Sequence, residues 1–221
     1  MNQLRSHPNL YELPGKRRTL FTRSKYKDAL FDERIVAEDG SFFREFDPTR
    51  SKLAAAIAKG ISQTGIRPGD VVLYLGAAHG YTVSFVSDII GPEGTVFALD
   101  IAPRVVRDLY FVAQARSNVV PLLADASSPD RYQDRIVLAD MVFQDIAQRD
   151  QVGIFLKNLR FVKKGGFGFL AVKSKSIDVA RRPKDIYREV RVRLEAAATV
   201  VDFKELDPFE KDHAAFVVKK K

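Results

Sequence analysis

The spacing of apolar positions changes character once along the chain, near residue 50. Ahead of that point lie short β-type runs at 9–13, 19–21, 29–36 and 41–46, cut by Pro14-Gly15 and by Glu38-Asp39-Gly40. Apolar runs this short between turn residues predict a small β-rich module over residues 1–49. Asp47-Pro48-Thr49 then reads as a turn with a helix cap, and 51–61 as an Ala-rich helix stopped by a loop holding Gly65 and Pro68-Gly69.

From Val71 the pattern alternates between strand and helix with short connections, which predicts βαβ units and a mostly parallel sheet over 50–221. The run 71–75 is wholly apolar, as a central strand buried on both faces requires. Further strands are predicted at 95–99, 119–123, 141–143 and 167–172. Helices are predicted at 81–90, 103–116, 130–135, 151–161 and 184–196. The chain closes with β-type runs at 199–203 and 214–218. About ten residues separate them, too few for a parallel crossover, so they read as an antiparallel hairpin at the sheet edge. The order fits an α/β, Rossmann-like sheet of seven strands, the class I methyltransferase arrangement, behind a small β-rich N-terminal module.

Composition narrows the class. At 221 residues, 46% hydrophobic and 29% charged, the chain is long enough for a substantial core. No apolar run approaches the roughly 20 residues of a membrane helix. Residues 1–18 are polar and basic without an apolar signal core, so neither membrane attachment nor secretion is expected. Cysteine is absent and only His7, His79 and His213 are present, which excludes thiolate chemistry and makes a metal site unexpected. The net charge of +8 is uneven: residues 157–193 hold 12 Lys/Arg against 3 Asp/Glu, whereas 68–156 hold 6 against 11. A basic cluster of this kind suits a polyanion such as RNA, and equally suits a solvated surface.

The first strand of the sheet runs into Leu75-Gly76-Ala77-Ala78-His79-Gly80 and then a helix, the place where doubly wound folds bind ligands. A dinucleotide fingerprint needs a middle glycine to admit a pyrophosphate, and Ala78 stands there instead. The second strand ends at Asp100, placed to accept from ribose hydroxyls. The third ends in Ala124-Asp125-Ala126, where a carboxylate suits an adenine amino group. Singly, each feature is also an ordinary turn or helix cap. Their succession at three strand ends points to a nucleoside cofactor without pyrophosphate, of which S-adenosyl-L-methionine is the common case.

The segments Leu73-Tyr74-Leu75-Gly76-Ala77-Ala78, Ala102-Pro103-Arg104, Asp145-Ile146-Ala147-Gln148, Ala171-Val172-Lys173-Ser174-Lys175-Ser176-Ile177-Asp178 and Glu210-Lys211-Asp212-His213-Ala214 are collinear with those of one family. With Ser87-Asp88-Ile89 and the helix opening at Arg50-Ser51-Lys52-Leu53, the chain closely resembles fibrillarin, in its archaeal form without a Gly/Arg-rich tail. The resemblance implies a cytoplasmic, S-adenosyl-L-methionine-dependent ribose 2′-O-methyltransferase of rRNA and tRNA, working inside a box C/D small ribonucleoprotein. The implied partners are box C/D guide RNA, target RNA, a Nop-family scaffold protein and a kink-turn-binding ribosomal-type protein.

It further implies a catalytic tetrad of Lys52, Asp145, Lys173 and His213, and a cofactor set of Gly76, Ala77, Ala78, Gly80, Thr82, Asp100, Ile101, Asp125, Ala126, Asp145 and Gln148. The chain departs from the family at His79 and Tyr81, where Ser and Thr are common, and at Asp100, where Glu is usual. The ring of His79 is expected to face solvent or the cofactor edge.

Methyl transfer to a hydroxyl needs in-line alignment and a group that takes the hydroxyl proton. A lysine shifted toward its neutral form by a cationic neighbour and partial burial fills that role. It is assigned to Lys173, at the end of a strand, with Lys175 as the rival and Asp145 expected to orient Lys173 or the hydroxyl. Two other functions remain open at this point: a protein (glutamine) methyltransferase, and a mainly structural RNA-binding subunit.

Overall fold

The computed structural model describes residues 1–13 and 19–221; the Pro14-Gly15 turn lies outside the described residues. The N-terminal module is an antiparallel sheet of β1 (Asn2–Gln3), β2 (Leu10–Leu13), β3 (Thr19–Ser24), β4 (Ile35–Glu38) and β5 (Ser41–Glu45), in the order β1-β2-β3-β5-β4. Its tightest turn is Asp39-Gly40, both residues at positive φ (49° and 73°), as a two-residue hairpin turn requires. The expected β run at 29–36 is shorter than its composition suggests. The Glu33 carboxylate accepts the N–H groups of Leu30 (3.1 Å) and Phe31 (2.7 Å), folding that stretch into a turn, so that only the residues from Ile35 pair.

The linking helix α1 (Lys52–Ala58) is capped by Ser51, whose hydroxyl accepts from the Ala54 N–H. The main sheet then builds as β6 (Val71–Leu75), α2 (Tyr81–Ile90), β7 (Thr95–Asp100), α3 (Pro103–Ala115), β8 (Val119–Leu123), β9 (Ala139–Gln144), α4 (Gln151–Asn158), β10 (Val162–Lys173), α5 (Ser174–Ile177), α6 (Pro183–Glu195), β11 (Ala198–Glu205) and β12 (His213–Lys220). Strand order is β11-β12-β10-β9-β6-β7-β8, with β10 through β8 parallel and β12 antiparallel to both neighbours. The closing hairpin is therefore at the edge as expected, but β12 is inserted against β10 and only β11 is outermost. The helix expected at 130–135 is instead a pair of 3-10 turns, Pro129–Arg131 and Gln133–Arg135. Likewise α4 stops at Asn158 and passes into a 3-10 turn, Leu159–Phe161. Among the described residues no helix is long and apolar enough to cross a membrane.

Strand alternation divides the core into two layers. Val72 and Tyr74 of β6 pack with Leu53, Val83, Phe143, Phe169 and Ala171, on the face covered by α1, α2 and the N-terminal module. Leu73, Leu75, Leu170, Val172 and Ala214 pack on the opposite face with Phe155, Ile186 and Val190 of α4 and α6. Leu10, Leu20 and Phe46 belong to the first layer, so the N-terminal module shares the core of the main sheet.

Between module and sheet lies a buried ionic cluster. Arg44, wholly inaccessible, pairs with Glu33 (2.6 Å) and Asp88 (2.6 Å), donates to the Ser84 hydroxyl (3.0 Å), and lies over the Phe85 ring at 4.2 Å. Arg116 approaches the other oxygen of Asp88 at 3.6 Å. Burial raises the Glu33 pKa, but the Arg44 charge and backbone N–H bonds outweigh it, and the net displacement is downward.

Because removing one partner strands buried charge, Arg44→Ala should cost about 3–5 kcal/mol, read from urea unfolding at neutral pH. Glu33, held low by Arg44, protonates in the parent only below the usual carboxylate range. In the variant Glu33 loses its cation and Asp88 keeps only Arg116, so both protonate more readily. The gap between parent and variant should thus narrow as pH falls toward 4; a pH-independent gap would count against the assignment.

Candidate active site at the carboxyl edge of the sheet

The loop after β6 is clasped by both neighbouring strands. Gly76 and Ala77 donate their N–H groups to the Leu99 carbonyl (2.9 and 3.0 Å), and Asp145 donates its N–H to the Leu75 carbonyl (3.0 Å). Gly76 has φ +81°, and a Cβ there would fall 2.2 Å from the Asp145 carbonyl oxygen, so no side chain fits. Ala78 also takes a positive φ of 48°. Its N–H donates to one oxygen of Asp100 (2.9 Å), while the other oxygen accepts from Ala102 N–H (3.0 Å). Asp100 therefore braces the loop as well as facing the cleft. Gly80 ends the loop at φ +92°, where a Cβ would meet Val112 and Leu109 of α3 at 2.8–2.9 Å.

Beside this loop opens a cleft of about 250 Å³. Of the expected cofactor residues, Gly76, Ala78, Asp100, Ile101, Asp125, Ala126, Asp145 and Gln148 line it. Three do not. Ala77 is turned into the core, Gly80 is taken up by the start of α2 and its packing on α3, and Thr82 donates its hydroxyl to Ser51 at 3.0 Å. Five lining residues were not anticipated: Leu99, Ala124, Ile146, Ala147 and Ile154. Ile146 and Ala147 lie within the Asp145-Ile146-Ala147-Gln148 segment, whose apolar middle was the available signal. The lining holds three carboxylates, Asp100, Asp125 and Asp145, and no Lys or Arg. A larger cleft of about 470 Å³, around Lys25, Tyr26, Phe42 and Asn118, lies between the N-terminal sheet and the end of α2, and includes none of these strand-end residues.

The four tetrad positions share the same edge. Lys52, the first residue of α1, pairs with Asp145 at 2.9 Å, both side chains mostly covered. Burial pulls the Lys52 ammonium down, but the Asp145 carboxylate and its hydrogen bond outweigh this and hold the pKa above its ordinary value. Lys52 is thus a fixed cation at neutral pH. Of the two expected partners of Asp145, Lys173 and the acceptor hydroxyl, the first is not what it bonds in the structure: Asp145 is bonded to Lys52, at the start of α1. The buried Tyr74 hydroxyl lies near Asp145 and Thr82, and burial, reinforced by Asp145, pushes its pKa well upward.

Lys173 is the last residue of β10 and faces His213, the first of β12, across the antiparallel ladder. Ala171 lies in the α1-side layer and Val172 in the other, so alternation returns Lys173 to the α1 side. Partial burial was expected for Lys173; the structure leaves it exposed. Among the described residues none accepts a hydrogen bond from its ammonium, whereas the rival Lys175 donates to the Val179 carbonyl (3.1 Å). His213 Nδ1 lies 2.7 Å from the Lys211 carbonyl and 3.8 Å from the Glu210 carboxylate. The His79 ring is mostly exposed and meets Asp108 at 2.9 Å, so it faces solvent.

The basic stretch 157–193 does not gather at this edge as a whole. Lys163 and Lys164 sit at the start of β10, the opposite end from Lys173, and Lys163 pairs with Asp140 (2.7 Å). Lys175, Arg181, Arg182 and Lys184 follow Lys173 directly, through α5 into the first turn of α6.

Comparison with known proteins adds the following. A 44% identical relative from Thermococcus gammatolerans, aligned over 192 residues (86% of this chain, 85% of that protein), is named fibrillarin-like rRNA/tRNA 2′-O-methyltransferase. A relative of the same name from Methanocaldococcus jannaschii is 40% identical over 215 residues (95% and 93%). Among solved structures, Methanococcus jannaschii fibrillarin, described as a pre-rRNA processing protein, superposes with a TM-score of 0.92 at 39% identity (96% of this chain, 94% of that one). Aeropyrum pernix fibrillarin with natively bound S-adenosyl-L-methionine gives 0.90 at 35% (98% and 96%). The fibrillarin chain of a fibrillarin/Nop5p complex gives 0.85 at 35% (97% and 99%). With the Fibrillarin family model matching residues 1–221 and the strand-end geometry in agreement, the chain belongs to the fibrillarin family.

Proposed function

We propose that this chain transfers the methyl group of S-adenosyl-L-methionine to ribose 2′-hydroxyls of rRNA and tRNA, with Lys173 as the proton acceptor. The observation that carries this reading is the meeting at one sheet edge of the Lys52–Asp145 ion pair, Lys173 and His213, next to a cleft rimmed by Asp100 and Asp125. The names of the relatives and the cofactor bound to the Aeropyrum pernix protein support it.

The cleft fits the cofactor on chemical grounds. Each oxygen of Asp100 accepts one N–H and keeps a lone pair for a ribose hydroxyl. Asp125, one oxygen of which accepts from Ser127 N–H (2.8 Å), is an acceptor for an exocyclic amine, and Ile101 and Ile146 add apolar lining to the same cleft. A lining of three carboxylates and no cations favours a positively charged ligand and disfavours a pyrophosphate. When bound, S-adenosyl-L-methionine supplies an electrophilic methyl group on a sulfonium.

The chain's own residues do the rest. Lys173, exposed and without an acceptor among the described residues, takes the hydroxyl proton as its neutral amine while the acceptor oxygen bonds the methyl carbon and the bond from that carbon to sulfur breaks. The Lys52 ammonium, fixed by Asp145, stabilises the negative charge developing on that oxygen. Asp145 in turn keeps the ammonium aimed at one place. RNA seated on the edge covers Lys173, and the basic run from Lys175 to Lys184 meets its phosphates. Target choice falls to a guide RNA, as the family resemblance implies. The Nop5p complex of a relative supports a scaffold partner of that kind, and a kink-turn-binding protein completes the proposed particle.

Lys173→Ala should lower methylation in the reconstituted particle by about 100-fold or more while the cofactor Kd stays nearly constant. Turnover equal to the parent would sink the assignment of the base. Asp100→Ala removes an ionised acceptor and should weaken cofactor binding roughly 10-fold to 100-fold by calorimetry. An unchanged Kd would remove Asp100 from the cofactor site.

A further inference from the structure

Beyond Leu170 the hydrogen-bonded ladder between β10 and β9 stops, because β9 ends at Gln144, the partner of Leu170. β10 runs on for three more residues to Lys173. On its other flank β12 continues to pair with it, down to the Lys173–His213 pair. On the β9 flank the backbone of Lys173 has no strand beside it, yet neither of its polar groups is left open. Gln151 Nε2 donates to the Lys173 carbonyl at 2.9 Å, and Lys173 N–H donates to Gln151 Oε1 at 3.0 Å. One side-chain amide thus makes both bonds that a neighbouring strand would have made.

Gln151 is itself held. It is wholly buried at the first position of α4, where Asp150 caps the helix by accepting from Gly153 N–H. Its carbonyl accepts from Gln144 Nε2 at 2.7 Å, and Gln144 is wholly buried too. Two amides therefore connect the residue before Asp145 to the backbone of Lys173, spanning the gap the main-chain ladder leaves.

We infer that Gln151 is a positioning residue for methyl transfer, fixing the backbone of Lys173 so that its amine reaches the acceptor hydroxyl. This rests on the proposed role of Lys173 as proton acceptor. An exposed lysine at a strand end has a long, flexible stem, and the reach of its amine depends on where its Cα is held. A bidentate amide fixes both position and peptide orientation, and misplacement of about 1 Å at a reacting group costs up to about 100-fold in rate. The Gln151 side chain lines no part of the cofactor cleft and bonds only the Lys173 backbone, its link to Gln144 being through the main-chain carbonyl, so truncating it should act through Lys173.

The test is single-turnover methylation by the reconstituted particle, alongside cofactor Kd, RNA KM and the urea midpoint. Gln151→Ala should lower kcat about 10-fold to 100-fold, with cofactor Kd and RNA KM within about two-fold of the parent. Gln151→Glu is nearly isosteric and keeps the acceptor for Lys173 N–H, but its carboxylate has no donor for the Lys173 carbonyl. It should show an intermediate loss, and it serves if the alanine variant does not fold. In a Lys173→Ala background, Gln151→Ala should cause no further loss, since the group it positions is gone. Parent-like kcat in both Gln151 variants, equal losses in kcat and cofactor Kd, or a full additional loss in the Lys173→Ala background would overturn the inference. If Lys173→Ala alone retains turnover, it is the proton-acceptor reading that fails.

Discussion

The site depends on one close approach of two backbones. At Gly76 the chain leaves β6 so near the Asp145 carbonyl that a methyl group would not fit, and the Asp145 N–H bonds back to Leu75. Asp145 is also the partner of Lys52 and a wall of the cleft. The backbone contact therefore fixes the spacing between the loop facing the cofactor and the carboxylate facing the reaction. No side-chain adjustment can loosen it, because both participants are main chain. In-line transfer tolerates little error, and a spacing set by backbone hydrogen bonds between parallel strands is the stiffest available.

Charge is partitioned around that contact. The cleft presents Asp100, Asp125 and Asp145, while the segment following Lys173 presents Lys175, Arg181, Arg182 and Lys184. The cleft thereby suits a sulfonium cofactor, and the segment after Lys173 suits a polyanionic acceptor. Several of the arginines are held by acids: Arg181 by Glu189, and Arg182 and Arg188 by Asp185. Such exposed pairs add little stability. Their effect is to keep the guanidinium groups near the helix.

Much of this was legible in the sequence because the signals are local. The wholly apolar run at β6, the glycine turn and the acids at the ends of β7 and β8 each follow from a few adjacent residues, and the mostly parallel sheet follows from the alternation of strands with helices. The antiparallel closing pair followed from the length of its connection. What escaped was non-local. Residues 130–135 carry the polar spacing of a helix but form 3-10 turns, and at 29–36 the Glu33 carboxylate claims the backbone N–H groups of Leu30 and Phe31 while pairing with Arg44. The Lys52–Asp145 pair joins residues 93 apart in sequence, and the Gln151–Lys173 bonds join residues 22 apart; no spacing rule connects either. The buried state of Arg44 and Arg116 was likewise invisible, since a charged residue in a strand or after a helix ordinarily reads as surface.

That buried cluster gives the N-terminal module a part in the site. Arg44 bonds Ser84 and Asp88, both on α2, and Phe31 and Arg50 pack on Tyr81, the first residue of the same helix (5.5 and 4.2 Å to its ring). α2 starts where the cofactor loop ends, at Gly80. Holding the outer side of α2 against the module therefore holds the far end of the loop whose near end is clasped at Gly76. The same helix reaches back to the tetrad, since Thr82 donates to Ser51, the cap of the helix that opens with Lys52. Lys52 then meets Asp145 and closes the circuit at the backbone contact. Among the described residues the module lines neither the cleft nor the Lys52–Asp145 pair, yet it braces α2, which begins at the end of the cofactor loop and bonds the cap of the helix that opens with Lys52.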